Sequence, residues 1–517
     1  MNEWRNTIRW TSCAWGAFLY FLAIALSRES PYWPYGVTLT WQAGLVLALL
    51  PLLPGLATGR SAWLIRGMFV AALTPFQSGV LAAVVLGSGA LAVRLFRDVR
   101  GGVVPNPIPR RVLLAAAAYG LFVAAHVVLE WGSVHTWVSV GFSTSVQYLP
   151  VCAAVLTGFA ARSRVSETVN DMLRIFLAHA AVLFVYPFIV GHPQLLLSVV
   201  NGVLKPVYSV LGYAWTYPWY DPDWNPGSVS IVNYSGVLMT LAAFVTGARA
   251  LHTRRRRDAL FCLLFTLAAF LAENAMAVAA TGGALVATLA AAAAYRAVAP
   301  RSRFLGWMGG AAATTAVLLL FLFSTYLPGG RYETTHKGHY FAAQCANISE
   351  RPGRFFFGHG PGAYGSRIAY LRIPADPYST ASILRGTYGT VFSSKSLPAN
   401  EFTTDFQRLS QQPADWVSES QGLIISGLIA FAAENGLVGV LLLGLFFGLF
   451  LVQSQRRDTI TALSGADTWA AVLPRLFPPL LLLFLSVFYN YTEIPCISFL
   501  AVFLATVPGS GRVREEK

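Results

Sequence analysis

"GVLMTLAAFVTGARALHTRRRRDALFCLLFTLAAFLA", residues 236–272, consists of two apolar runs joined by four consecutive arginines, Arg254 to Arg257. Apolar runs approaching the length needed to cross a bilayer, about 20 residues, read as membrane-spanning helices rather than buried core helices. A short arginine-rich connection between two such runs is the pattern of a cytoplasmic loop. The stretch therefore predicts a pair of spans that turn on the cytoplasmic side, and it sets the expected fold class: an all-α integral membrane protein.

The same pattern extends along the 517 residues. The chain is 55% hydrophobic and 12% charged, against about 25% charged in an ordinary soluble domain, and its mean hydropathy is +0.56. About fourteen spans are expected from the apolar runs, near 11–27, 37–57, 62–75, 78–97, 112–130, 144–161, 172–190, 228–248, 259–277, 283–298, 305–326, 436–454, 472–488 and 493–508. The region 62–97 reads equally as two short helices or one long kinked helix. The net charge of +14 resides in clusters that border apolar runs, among them Arg94/Arg97/Arg100, Arg110/Arg111, Arg162/Arg164, Arg296/Arg301/Arg303 and Arg456/Arg457. Charge so placed follows the positive-inside bias rather than a nucleic-acid footprint. With the N-terminus inside, every arginine-rich connection lands in the cytoplasm, as does the C-terminus. The first run, after Arg5 and Arg9, reads as a span and not as a removable signal peptide. The expected location is a bacterial cytoplasmic (inner) membrane, crossed many times. Of the five cysteines, only Cys345 lies in a large polar loop, so no disulfide is expected within that loop.

Three regions follow: a transmembrane part over 1–326, an extracytoplasmic loop over 327–420, and C-terminal helices with a short tail over 421–517. Within the first, the outer segment 191–227 holds a stretch suited to an amphipathic interfacial helix, followed by "YPWYDPDWNPG" (217–227). Loop 327–420 is the only long hydrophilic stretch, and a loop of that length in a compact protein is usually functional. It contains "ERPGRFFFGHGPGAYGSR" (350–367), with three arginines, a histidine and five glycines.

Cationic side chains on the side opposite to the positive-inside bias suggest an anionic ligand. Guanidinium forks match phosphate oxygens and stay charged, and glycines let a backbone approach an anion closely. Arg331, Arg351, Arg354, Arg367 and Arg385 are the candidates, and a solvated, salt-bridged loop is the alternative for any one of them. There is no Gly-Lys-Ser/Thr phosphate loop. His336 and His339 are too few for a zinc site, and no metal or other cofactor is expected. Asp221 and Asp223 sit among Trp215, Trp219 and Trp224. Trp219 and Asp221 fit either an interfacial aromatic belt or a platform that stacks and hydrogen-bonds sugar rings.

"PGRFFFGHGPGAYG" (352–365) resembles the signature of the O-antigen polymerase and O-antigen ligase superfamily, in which a proline, an apolar pair and a Gly-x-Gly-x-Gly-aromatic run close the catalytic loop. The spacings Arg351 to Gly362 and Arg354 to Gly365 are similar to an Arg, ten residues, then Gly spacing of its polymerases. "AENGLVGVLLLGLF" (433–446) resembles the family's Glu-x-Gly stretch that opens the next span, and "YNYTEIP" (489–495) resembles its last outer turn. "AMAVAATGGALVATLAA" (275–291) occupies the place of the family's arginine-bearing hairpin, but carries Gly282 and Gly283 where ligases have the arginine. The helix beginning "WVSESQGLIISG" lacks the ligases' His-Asn. Both departures favour a polymerase. The resemblance covers about residues 225–510.

What the resemblance implies is a metal-independent, inverting glycosyl transfer on a C-type membrane glycosyltransferase fold. A polyprenyl-diphosphate-linked glycan would be the donor, a growing glycan the acceptor, and a chain-length regulator a further partner. Arg351 and Arg354 are expected at the diphosphate, with Arg331, Arg367 and Arg385 as further contacts. Glu419 is the first choice of base and His359 the second. Gly358, Gly360 and Gly362 would shape the loop, with Tyr364 as its closing aromatic. Ligase-type transfer to lipid A core is one alternative; a multispan transporter, or a noncatalytic assembly scaffold, is another.

Overall fold

The computed structural model describes residues 14–24, 45–74, 77–101, 110–129, 147–161, 164–189, 235–271, 275–298, 303–326, 352–360, 427–456, 465–488 and 495–506. Among them the chain is helical, with turns and no strand. The helices are α1 (Ala14–Ile24) and α2 (Leu45–Thr58), α3 (Ser61–Ala72), α4 (Gln77–Arg100), α5 (Arg110–Leu129), α6 (Leu149–Ala160), α7 (Val165–Ile189), α8 (Ser235–Thr253), α9 (Arg256–Leu271), α10 (Ala275–Val298), α11 (Arg303–Tyr326), the short α12 (Pro352–Phe357), α13 (Gly427–Arg456), α14 (Gly465–Phe488) and α15 (Pro495–Thr506). Each of the fourteen apolar runs overlaps one of these helices. Region 62–97 is two helices, α3 and α4, separated after Ala72.

Local chemistry sets many of the boundaries. Prolines stand at the first positions of α6 and of the last turns of α2, where a missing N–H costs nothing. Gly59 ends α2 with a left-handed φ of 61°. Arg97 and Arg100 lie in the last turn of α4, where cations complement the helix dipole. Between α8 and α9 the arginine run makes a two-residue turn, with Arg254 at φ 53° and Asp258 in the first turn of α9.

Sequence neighbours α3 and α4, α8 and α9, α10 and α11, and α14 and α15 pack pairwise, as short connections require. The centre is α15: every side chain from Cys496 to Thr506 is buried, in contact with α3, α4, α6, α8, α13 and α14. Aromatic rings make its contacts with α3, where Phe69 meets Phe503 edge-to-face at 5.0 Å. On the other side of the bundle Phe244 of α8 stacks on Phe477 of α14 at 3.8 Å. Gly283 of α10 receives the ring of Phe484; a Cβ there would stand 2.5 Å from Phe484 Cδ1, whereas one at Gly282 would meet nothing.

Two helical segments, Gly79–Arg100 and Ser166–Tyr186, are long and apolar enough to cross a membrane, and shorter apolar helices surround them. The outer surface of the bundle is apolar too. Phe96, Leu121, Val128, Leu129, Leu251 and Leu320 are each at least 66% exposed. Water-soluble monomers rarely present large contiguous apolar patches.

Candidate functional site

The loop signature and the Glu-Asn-Gly stretch of α13 form one unit. Pro352 opens α12, the six-residue helix PGRFFF. Gly358 closes it: its N–H donates to Arg354 O at 2.7 Å, and its φ of 76° lies in the left-handed region that glycine adopts without strain. His359 and Gly360, the latter at φ 87°, continue as a strap bent at His359.

The strap lies across a break in α13. Gly436 has φ 60° and ψ −178°, a conformation essentially restricted to glycine, so α13 is two helical pieces joined there. A break strands the carbonyls of the preceding turn, which in an intact helix would accept from residues further along. The strap supplies donors to two of them. The N–H of His359 donates to Ala433 O and that of Gly360 to Glu434 O, both at 2.8 Å. Glycine is required on both sides because the two backbones touch. A Cβ on Gly358 would stand 2.6 Å from Gly436 N, and one on Gly436 would stand 2.6 Å from Phe356 O.

From its other side the break is held by side chains of α5 and the start of α6. Glu434 and Asn435 are fully buried. The Tyr119 hydroxyl of α5 donates to Asn435 Oδ1 at 2.5 Å, and the Tyr148 hydroxyl lies 3.3 Å from the same oxygen and within bonding distance of Tyr119. Asn435 Nδ2 donates to Phe431 O at 2.9 Å. Gln147 Nε2 donates to Glu434 Oε2 at 3.4 Å. A carboxylate in so apolar a place is costly unless hydrogen-bonded, and Gln147 supplies one such bond.

Of the residues singled out from the sequence, Arg354, Gly358, His359 and Gly360 are brought together here. Arg354 is half-buried, with Nη1 at 3.5 Å from Gly358 O, and His359 is buried. Arg331, Arg351, Arg367, Arg385, Gly362, Tyr364, Glu419, Trp219 and Asp221 lie outside the described residues. Sequence reasoning did not assign Glu434, Asn435, Tyr119, Gln147 or Tyr148 to the site. The signal for the first two was available: adjacent polar residues inside the apolar run "FAAENGLVGVLLL" (431–443). Among the described residues no group of three or more His, Cys, Asp or Glu converges on one metal position.

The arrangement joins a cationic, glycine-rich loop to a buried carboxylate at a helix break. It can hold an anion at Arg354 and a proton-transferring imidazole at His359 on one rigid backbone. No protein family, curated protein or solved structure matches the chain.

Proposed function

We propose that the protein is a membrane glycosyltransferase of the O-antigen polymerase kind, which joins polyprenyl-diphosphate-linked repeat units into a surface polysaccharide. The observation that carries the reading is the docking of the Arg354–Gly360 loop onto the Glu434–Gly436 break. Two stretches that each resemble this family meet in space. In the proposed reaction an acceptor hydroxyl attacks the anomeric carbon of the donor sugar, the glycosidic bond to the lipid diphosphate breaks, and the configuration inverts. Arg354, with Arg351, offsets the charge that develops on the leaving diphosphate. His359 takes the hydroxyl proton, in competition with Glu419 for that role.

The same reading places about fourteen spans in a bacterial inner membrane, with both termini cytoplasmic and loop 327–420 outside. The coincidence of helices with the apolar runs and the exposed leucine, valine and phenylalanine side chains support it. Lipid chains would cover that surface. Its partners are then the lipid-linked donor, the glycan acceptor and a chain-length regulator.

The test is the glycan profile of cells lacking the gene. A product carrying a single repeat is expected. Long chains retained on the lipid carrier would instead indicate a ligase, and loss of all extracytoplasmic glycan a transporter.

A further inference from the structure

Helices α3, α7 and α8 meet in a second polar cluster. Asp171 of α7 accepts from Arg66 Nε of α3 at 2.7 Å and from Arg174 Nη1 at 2.8 Å. The preceding residue, Asn170, accepts from Arg249 Nη1 of α8 at 2.7 Å. Asp171 is buried, and the three arginines are partly buried between helices. Arg66 and Arg174 thus share the Asp171 carboxylate, and Arg249 bonds a neutral amide. Glu167, one turn earlier on α7, is exposed and makes no ion pair with them.

The cluster is not saturated. Arg66 spends only its Nε on Asp171 and lies over the Trp63 ring at 4.9 Å; both of its terminal nitrogens are left with no protein acceptor among the described residues. Arg249 spends one N–H of its five. Partly buried guanidinium donors left without acceptors are costly, and an anion from outside the protein would supply them. Trp63, more than one-third exposed, stands beside the cluster as interfacial tryptophans stand beside lipid headgroups.

We propose that Arg66 and Arg249, anchored by Asp171 and Asn170, form a binding site for the phosphate of an anionic phospholipid in the cytoplasmic leaflet. The inference rests on the membrane orientation given above but not on the glycosyl-transfer reaction. Basic pockets between spanning helices on that side are suited to phosphate headgroups. In the absence of lipid, Asp171 keeps its two arginine partners, so the site stays assembled and ready to take the headgroup.

The test uses the full chain in neutral phosphatidylcholine nanodiscs, into which phosphatidylglycerol is titrated, with melting temperature and lipid retained in native mass spectrometry as readouts. Wild type is expected to be stabilised by phosphatidylglycerol and to retain it. R249Q leaves the Asp171 pairs intact, and should lower the apparent lipid affinity about fivefold. R66Q, in which Arg174 still pairs Asp171, should do the same, while R100Q on the exposed end of α4 should not. No preference for phosphatidylglycerol in wild type overturns the proposal. So does equal loss in R100Q, which would mean diffuse surface charge, and so does equal stabilisation by inorganic phosphate at millimolar concentration, which would mean a site for a soluble anion. If the variants do not fold, absence of a phosphatidylglycerol preference in wild type still overturns the proposal.

Discussion

Gly358 and Gly436 face each other across a backbone contact too close for any side chain on either. Both have positive φ. The contact joins the glycine-rich loop to the broken helix, and each partner enforces the unusual conformation of the other.

Gly358→Ala and Gly436→Ala should therefore both release the strap. Strain at positive φ and the clash together cost about 2–3 kcal/mol. The expected outcome is a lower melting temperature with short or absent polymer. Gly353→Ala, with open space around it, is the matched control and should match wild type in both readouts.

Asn435→Ala removes the acceptor shared by Tyr119 and Tyr148. Losing the hydrogen bond from the buried Tyr119 hydroxyl to Asn435 costs about 0.5–1.5 kcal/mol. Tyr119→Phe alone should cost less, and adding it to Asn435→Ala should restore part of the loss. A double-mutant cycle by chemical denaturation reads the coupling; strict additivity would mean that the hydrogen bond contributes nothing.

Arg354→Lys keeps the charge and loses the bidentate fork. If Arg354 holds the donor diphosphate, transfer should slow roughly thirty- to hundredfold, equivalent to about 2–3 kcal/mol of barrier. Turnover of lipid-linked donor at matched protein levels checks it. A wild-type rate in both Arg354→Lys and Arg354→Ala would assign the residue a structural role only.

Gly283→Ala would push against Phe484, whereas Gly282→Ala has room. The first should destabilise the α10–α14 contact by about 1–3 kcal/mol, as overpacking does, and the second should leave the melting temperature near that of wild type.

A cysteine introduced at Ser394 in a cysteine-free background should react from outside with an impermeant thiol reagent. One at Arg255, in the turn between α8 and α9, should react only after permeabilisation. The reverse pattern would invert the orientation and move loop 327–420 to the cytoplasm.

Most helices were legible because hydropathy marks them, but the α9–α10 boundary was not: the expected spans 259–277 and 283–298 give way to helices ending at Leu271 and starting at Ala275, and α10 runs through Gly282 and Gly283. At α13 the sequence placed the start of a span near residue 436, and that residue is the break, but the helix begins at Gly427. Residues 427–435 are apolar enough to be helical, and glycine at 436 interrupts geometry rather than hydropathy. At the site, Arg354, Gly358, His359 and Gly360 were legible as a motif. Their seat on Ala433 and Glu434 was not, because it consists of backbone hydrogen bonds, which leave no residue type as a trace, across a long polar loop. Tyr119 and Tyr148 were hidden for another reason: a tyrosine in an apolar run looks like core until its hydroxyl is seen to have a partner.

The helix enclosed on every side, α15, follows all the other described helices in chain order. During synthesis the surrounding helices must therefore leave its place open until the final hairpin with α14 arrives, and the aromatic contacts of Phe69 with Phe499 and Phe503 form only then. A nascent chain halted before residue 495 lacks its centre, not an edge. It is a target for quality control rather than a shorter working protein.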